Sequence, residues 1–211
     1  MFVIKLGGSL TKDKKILANL CREIEKLTKK FDLLIVPGGG EFADLVREYD
    51  KKFNLPPEIS HRMAVLAMDQ TGFLISGFFN DKYNDNNDND KVKIFFPSKF
   101  LLELPESELE HSWDVTSDSI SAYIAGKLNA EKLIILTDVC GLYDSDPKKN
   151  QDAKLFKKIN LNEIKNFPAS CVDKKFHEFL KTPCCIINGK FPGRISAALE
   201  NKEFVGTEIV I

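Results

Sequence analysis

Short apolar runs alternate along the chain with longer stretches in which apolar residues recur at helical spacing. A continuous apolar run predicts a buried β-strand, because both faces of such a strand meet apolar surroundings. The runs predict strands at 2–6, 32–37, 91–97, 132–138, 184–189 and 206–211.

The stretches between these runs predict helices. Leu17, Leu20 and Ile24, for example, are spaced so that they share one face of a helix, with charged residues between them. Helices are predicted at 14–30, 41–53, about 57–79, 117–130 and 193–200, and Thr116 or Ser117 is a suitable cap for the fourth. The alternation predicts the α/β class, as a three-layer αβα sandwich with a mostly parallel central sheet.

The composition is that of an ordinary globular protein, with 43% hydrophobic and 29% charged residues. A net charge of −1 argues against a nucleic-acid-binding or membrane-surface protein. The N-terminal MFVIKLGGSL lacks the pattern of a signal peptide, and we expect no membrane span. Five cysteines without repeated spacing argue against a disulfide framework and favour buried thiols in a reducing cytoplasm.

The segment 80–91 differs from the rest because it is rich in Asn and Asp. A calcium-binding loop would need a glycine at its sixth position and a glutamate at its twelfth, and both are missing. We therefore expect a solvated loop there.

The candidate chemistry lies in the turns that follow the predicted strands, which read KLGGSL, VPGGGEF, TDVCGLYDSDP and INGKFPG. In an open parallel sheet, ligands bind beyond these strand ends. Two of the turns are glycine-rich and open a helix, an arrangement that suits phosphates. The spacing of the P-loop and of the ordinary dinucleotide-binding turn is absent from both.

Lys5 and the three glycines of residues 38–40 each raise a question. A lysine inside a buried strand is costly unless it meets an anion, so Lys5 either faces the glycine turn as a cation or extends to solvent at a sheet edge. Three consecutive glycines indicate either a loose turn or a close approach of the backbone to another group.

These motifs resemble, in order and over essentially the whole chain, those of the amino acid kinase superfamily, which includes carbamate, uridylate and isopentenyl phosphate kinases. The stretches that carry the resemblance are VIKLGGSL, VPGGGEFADLVR, TSDSISAYIAGKLNAEKLIILTDVCGLYDSDP and INGKFPGRISAALENKEFVGTEI. The resemblance implies a single domain at 1–211, with an acceptor-side half at about 1–115 and a nucleotide-side half at about 116–211. It also implies ATP as phosphoryl donor, Mg²⁺ carried on the ATP phosphates without a protein metal cluster, and a homodimer or larger homo-oligomer.

Two stretches, HRMAVLAMDQTGFLI and HSWDVTSDSISAYIA, are similar to an archaeal branch of that superfamily. The branch phosphorylates [5-(aminomethyl)furan-3-yl]methyl phosphate to its diphosphate in methanofuran biosynthesis. An isopentenyl phosphate kinase or a nucleoside monophosphate kinase of the same fold is the alternative enzyme. A non-catalytic nucleotide-binding or storage protein is the alternative of another class.

The resemblance assigns roles to residues that match the motifs. Lys5 would neutralise charge on the transferred group, and Asp118 would orient the catalytic lysines. The turns would bind the ATP phosphates through Gly7, Gly8 and Ser9, and the acceptor through Gly38, Gly39 and Gly40. The implied nucleotide-binding segment comprises Thr137, Asp138, Gly141, Tyr143, Asp146 and Pro147.

One motif departs from the superfamily pattern. Relatives carry Gly-Gly-Met-x-x-Lys, which supplies a second catalytic lysine, whereas residues 168–179 read PASCVDKKFHEF here. Lys174 or Lys175 is expected to take this role, with preference for Lys174. The alternative is that both are solvated surface lysines.

Several acceptor-side residues allow two interpretations. His61 either contacts the acceptor phosphate or lies on a helix surface. Asp69 or Asp114 either pairs with a substrate ammonium or serves as a cap or salt-bridge partner. Trp113 either stacks on a furan ring or packs in the core. Two residues either line the site or form a simple turn: Asn188 and Gly189.

Overall fold

A computed structural model describes residues 1–79, 92–164 and 171–211. Within these ranges the strands are β1 (Phe2–Leu6), β2 (Leu33–Pro37), β3 (Lys93–Ile94), β4 (Lys132–Thr137), β5 (Lys158–Asn160), β6 (Cys184–Asn188) and β7 (Gly206–Val210). The α-helices are α1 (Lys14–Leu27), α2 (Gly40–Phe53), α3 (Pro57–Ser76), α4 (Ser98–Leu101), α5 (Ser117–Lys127), α6 (Leu161–Ile164), α7 (Phe176–Phe179) and α8 (Gly193–Leu199). A short 3₁₀ helix covers Gly8–Thr11. The Asn- and Asp-rich segment at 80–91 lies outside the described residues.

The seven described strands form one sheet in the order β3-β2-β1-β4-β6-β7-β5. All neighbours are parallel except β6 and β7. Alternate strand residues enter two separate cores: Val3 packs with α5 on one face, and Ile4 packs with α1 and α8 on the other. Because a strand directs successive side chains to opposite faces, this alternation produces the two helical layers. The predicted three-layer α/β fold is confirmed.

The local sequence explains where the main helices begin and end. The carboxylate of Asp13 accepts hydrogen bonds from the amides of Lys15 and Ile16 and so caps α1. The helix ends at Leu27, three residues before the predicted end, where the hydroxyl of Thr28 turns back to the carbonyl of Glu25. Helix α2 ends at Phe53, and its cap residue, Asn54, adopts a left-handed conformation.

Most of the short elements were not predicted from the sequence. Among the described strands, β5 pairs only with β7, and of its three residues only Ile159 is buried. Strand β3 has two residues, fewer than the predicted run at 91–97. Helices α4, α6 and α7 have four residues each, too few for an apolar period to be visible.

The two glycine-rich turns pack backbone against backbone. A Cβ atom on Gly8 would lie 2.3 Å from the Cα of Gly40, and one on Gly38 would lie 2.8 Å from the amide nitrogen of Gly8. Gly40 also has φ of +57°, a left-handed conformation that favours glycine. The turn at residues 38–40 is therefore a close approach, and its nearest neighbour is the other glycine turn.

All five cysteines are free, and Cys21, Cys184 and Cys185 are buried. No helix in the described part of the chain is long and apolar enough to cross a membrane.

We predict that Gly8→Ala lowers the free energy of unfolding by about 1–3 kcal/mol, because the new methyl group would force the two turns apart. Gly193→Ala is the matched control, because nothing lies within 4 Å of a Cβ placed there. This control is expected to be neutral or slightly stabilising. Urea unfolding of both variants measures the difference, and a Gly8→Ala protein as stable as Gly193→Ala would contradict the tight packing of the turns.

Candidate functional site

Four neighbouring strands end at the same edge of the sheet, and their turns are joined by hydrogen bonds. The amide of Gly7, after β1, donates to the carbonyl of Leu136 in β4 over 2.9 Å. The amide of Gly189, after β6, donates to the carbonyl of Thr137 over 2.9 Å. The amide of Gly38, after β2, donates to the carbonyl of Leu6 over 2.8 Å. The turns singled out in the sequence thus form one continuous edge.

A buried ion pair lies at the centre of this edge. The Lys5 Nζ atom is 2.7 Å from Asp118 Oδ1, and the two side chains are only 8% and 10% exposed. Burial raises the pKa of Asp118, and the charge of Lys5 opposes this effect. Because β1 lies between β2 and β4, the alternative of a lysine extending to solvent at a sheet edge does not describe Lys5.

Asp173 caps the helix that carries Asp118. Its carboxylate accepts hydrogen bonds from the amide and hydroxyl of Thr116, at 2.8 and 2.9 Å, and from the amide of Ser119 at 3.0 Å. The hydroxyl of Ser119 also donates to it. The predicted cap residue Thr116 makes no side-chain cap of its own. Sequence reasoning missed Asp173, because its partners lie more than fifty positions earlier.

The two candidate lysines follow Asp173 directly and both make ion pairs. Lys174 Nζ lies 2.7 Å from Asp114 Oδ1, with side chains 79% and 43% exposed. Lys175 is paired with Glu110 and is less exposed. The cap made by Asp173 therefore fixes both lysines near the start of α5, and neither lines the cavity described next.

A cavity of about 470 Å³ lies between the glycine turns, α2, α3 and residues 111–117. Its lining includes five residues predicted from the sequence to hold phosphate groups: Gly8, Ser9, Gly39, Gly40 and His61. The amides at the start of α2 and of the 3₁₀ helix have no side-chain cap. These amides can donate to an anion, and the positive end of the α2 dipole supports this.

His61 lines the cavity and stacks on His111, with ring centroids 4.2 Å apart. It is 7% exposed, and its Nε2 atom has no hydrogen-bond partner among the described residues. Burial, together with the nearby His111 and Arg62, lowers the pKa of His61 to about 4. At neutral pH the imidazole is therefore uncharged and retains an unused polar nitrogen.

Asp69 and Asp114 do not line this cavity. Asp69 accepts a hydrogen bond from the amide of Ser98 at the start of α4, over 3.2 Å. Asp69 lies eight positions after His61 on α3, which rotates it by about 80° around the helix axis. Asp114 forms the ion pair with Lys174.

A third carboxylate, which sequence reasoning missed, does line the cavity. Asp50, in the last turn of α2, accepts from Trp113 Nε1 at 2.6 Å and from the hydroxyl of Ser60 at 2.7 Å. Both hydrogen bonds lower the pKa of Asp50, and the one from Trp113 has the larger effect. Trp113 also lines the cavity, and the guanidinium of Arg47 lies 4.6 Å from the centre of its ring. In sequence, Asp50 reads as part of a charged helix end, and its partners are remote.

The predicted nucleotide segment forms a loop held by its own polar contacts. Asp138 pairs with Lys148 over 2.7 Å, and its carbonyl accepts from Asn188 at 3.1 Å. Gly141 has φ of +152°, and a Cβ atom there would collide with Thr207. Tyr143 forms a bridge with Leu155, and Asp146 accepts from the amide of Lys148.

A sequence profile described as the amino acid kinase family matches residues 1–181. The chain is 38% identical to a [5-(aminomethyl)furan-3-yl]methyl phosphate kinase of Methanocaldococcus jannaschii, covering 100% of this chain and 98% of the relative. It is 28% identical to an isopentenyl phosphate kinase of Thermoplasma acidophilum, covering 99% of this chain and 100% of the relative. The crystal structure of a uridylate kinase from Archaeoglobus fulgidus superposes with a TM-score of 0.77 at 19% identity, covering 99% of both chains.

We predict a pH dependence of stability that comes from His61. Its pKa is about 4 in the folded protein and about 6.5 when unfolded, so the folded state binds fewer protons between these values. The stability that the neutral imidazole confers above pH 6.5 is lost as the pH falls towards 4, by an amount on the order of 3 kcal/mol.

Urea unfolding between pH 7 and 4 tests this prediction, with His61→Gln expected to lose less stability than the parent on acidification. His177→Gln, which removes an imidazole outside the cavity, is the matched control. An unchanged pH dependence in His61→Gln would contradict the prediction.

Proposed function

This chain belongs to the amino acid kinase family, and we propose that it uses ATP to convert [5-(aminomethyl)furan-3-yl]methyl phosphate to its diphosphate, a step of methanofuran biosynthesis. The geometric observation that carries the proposal is one cavity that reaches both glycine turns and Ser117, the residue before Asp118 of the buried Lys5–Asp118 pair. The near-full-length similarity to the Methanocaldococcus jannaschii kinase supports the choice of acceptor.

In the proposed reaction, an oxygen of the acceptor phosphate forms a bond to the γ-phosphorus of ATP, and the bond from that phosphorus to the β,γ-bridging oxygen breaks. ADP leaves with the electron pair. The acceptor oxygen is already ionised, so the chemistry needs alignment and charge neutralisation rather than a general base. We assign alignment to the turn amides of Gly8, Gly39 and Gly40, and neutralisation to Lys5, oriented by Asp118.

Two further groups complete the proposed phosphate environment. The unpartnered Nε2 atom of His61 would carry the proton and donate to the acceptor phosphate. Lys174, fixed through Asp173 near the start of α5, would act as the second catalytic lysine. The remaining ATP contacts are assigned to the loops after β1 and β4: Gly7, Ser9, Thr137, Asp138, Gly141, Tyr143, Asp146 and Pro147.

Mg²⁺ is proposed to bind through the ATP phosphates. The described residues contain no group of three His, Cys, Asp or Glu side chains that could hold a metal ion. When bound, the ion would neutralise phosphate charge, whereas Lys5 and the turn amides are the protein groups that orient the phosphates. The five free cysteines of the protein fit a kinase that works in a reducing cytoplasm.

Isopentenyl phosphate is the second candidate acceptor. The cavity has apolar wall residues, including Val65, Met68 and Ile120, that could accept an isoprenoid chain. The isopentenyl phosphate kinase of Thermoplasma acidophilum also aligns over the full chain. A non-catalytic binding protein is disfavoured. Burying the Lys5–Asp118 pair carries a desolvation penalty, and a protein that only binds a nucleotide has no need of such a pair.

We predict that the purified protein turns over the aminomethylfuran phosphate with ATP and Mg²⁺ in a coupled ADP-release assay. A panel of isopentenyl phosphate, UMP and the aminomethylfuran phosphate ranks the acceptors by kcat/KM. Lys5→Met, which keeps the length of the side chain and removes its charge, is expected to lower kcat at least 100-fold. Lys14→Met is the matched control, because Lys14 is exposed and does not line the cavity. Higher kcat/KM on isopentenyl phosphate or UMP would reject the proposed acceptor.

We also propose a homodimer that forms through α2 and α3. Ile59, Leu66 and Phe73 recur every seven residues on α3 and are 43%, 46% and 59% exposed. Leu45 and Tyr49 of α2 add further exposed apolar side chains. A second copy that covers this face would remove the apolar area from water.

Leu66→Glu is expected to raise the dissociation constant of the dimer at least 10-fold, because it places a charge in the apolar interface. Leu128→Glu, at an exposed leucine outside α2 and α3, is the matched control. Analytical ultracentrifugation measures both variants. A parent protein that sediments as a monomer at micromolar concentration would contradict the proposal.

A further inference from the structure

The cavity has a carboxylate at the end of α2 that lies away from the glycine turns. We propose that Asp50 binds the ammonium group of the acceptor and thereby makes the enzyme selective for phosphate esters that carry a primary amine. The inference rests on the proposed function, because it assigns the residue that recognises the far end of the acceptor.

Helix α2 connects the two ends of the proposed acceptor site. It begins at Gly40 in the phosphate-binding turn, and Asp50 lies in its last turn, about 15 Å further along the axis. Both residues line the same cavity. The helix dipole is positive at Gly40 and negative near Asp50, so it favours an anion at the first end and a cation at the second. An acceptor with a phosphate at one end and an ammonium at the other matches this polarity.

Asp50 is prepared to receive a cation. Its two oxygens accept from different donors, Ser60 Oγ on one and Trp113 Nε1 on the other, and this fixes the plane of the carboxylate. The same donors lower its pKa, so it is ionised at neutral pH. Each carboxylate oxygen can accept more than one hydrogen bond, so an ammonium can bind without displacing either donor.

The other nearby carboxylates are already engaged. Among the described residues, Asp44 and Asp50 are the carboxylates that line the cavity. Asp44 is paired with Arg47 over 2.9 Å and is more than half exposed. Asp69 and Asp114 lie outside the cavity, held by Ser98 and Lys174. In the described part of the chain, Asp50 makes no ion pair, so its charge is available to a ligand.

His61 provides an independent indication that this cavity receives a polar ligand. Its Nε2 atom is buried without a partner among the described residues, an arrangement that costs free energy unless a ligand supplies the hydrogen bond. The stacked rings of His61 and His111 line the cavity together with the apolar side chains of Val65 and Met68. Such a lining suits the planar ring that joins the phosphate and aminomethyl groups in the proposed acceptor.

The test compares two acceptors that differ only in the amine: [5-(aminomethyl)furan-3-yl]methyl phosphate and (5-methylfuran-3-yl)methyl phosphate. Asp50→Asn is expected to raise KM for the amine at least 10-fold, with kcat within 3-fold of the parent, and to leave KM for the methyl compound unchanged. Asp44→Asn is the matched control and is expected to keep the preference for the amine. Asp50→Glu, which retains the charge, is expected to restore part of the preference.

Calorimetric binding of both compounds, without ATP, separates this inference from the proposed function. Amine-selective binding that depends on Asp50, in a protein without turnover, would reject the proposed function and support the inference. Equal losses on both compounds in Asp50→Asn would show that Asp50 is structural and would overturn the inference. A parent protein that binds the two compounds equally, or binds neither, would also overturn it. Thermal unfolding of each variant confirms that it is folded.

Discussion

The buried ion pair of Lys5 and Asp118 is the interaction on which the arrangement of the site depends. A lysine in the central strand of a parallel sheet would be strongly destabilising without an anion, and the carboxylate can remain ionised only beside a cation. The pair joins β1 to the first turn of α5 over 2.7 Å. Asp173 caps that same turn of α5. The ion pair therefore positions α5, and α5 in turn positions the segment with Lys174 and Lys175.

The two glycine turns pack against each other just beyond the ends of β1 and β2. Because Gly8 and Gly40 have no side chains, the turns after β1 and β2 touch, and their amides open into one cavity. A side chain at Gly8 would collide with the backbone of Gly40 and separate the turns, and a side chain at Gly40 would be strained by its positive φ. The glycines therefore serve the packing of the protein first, and the anion-binding character of the edge follows from that packing.

The sequence predicts those parts of the fold and site that are determined by residues close together in the chain. Apolar runs located the central strands, and glycines after them located the turns that line the cavity. Lys5 was visible because a charge inside an apolar run is costly. Asp173 and Asp50 were not visible, because their partners Ser119 and Trp113 lie 54 and 63 positions away. Asp69 does not line the cavity, because eight helical positions do not return a side chain to the face of His61.

Helix α2 separates the chemistry of the site from its selectivity. Its first turn carries Gly40, which packs against the turn after β1 and lies where we propose that phosphoryl transfer occurs. Its last turn, with Asp50 held by Ser60 and Trp113, lies about 15 Å further along the helix axis. A change at the second end can alter which acceptor binds without disturbing the first, because the helix between them is rigid. If the far end of the acceptor is an ammonium, its interaction with Asp50 helps to hold the acceptor phosphate in line for transfer.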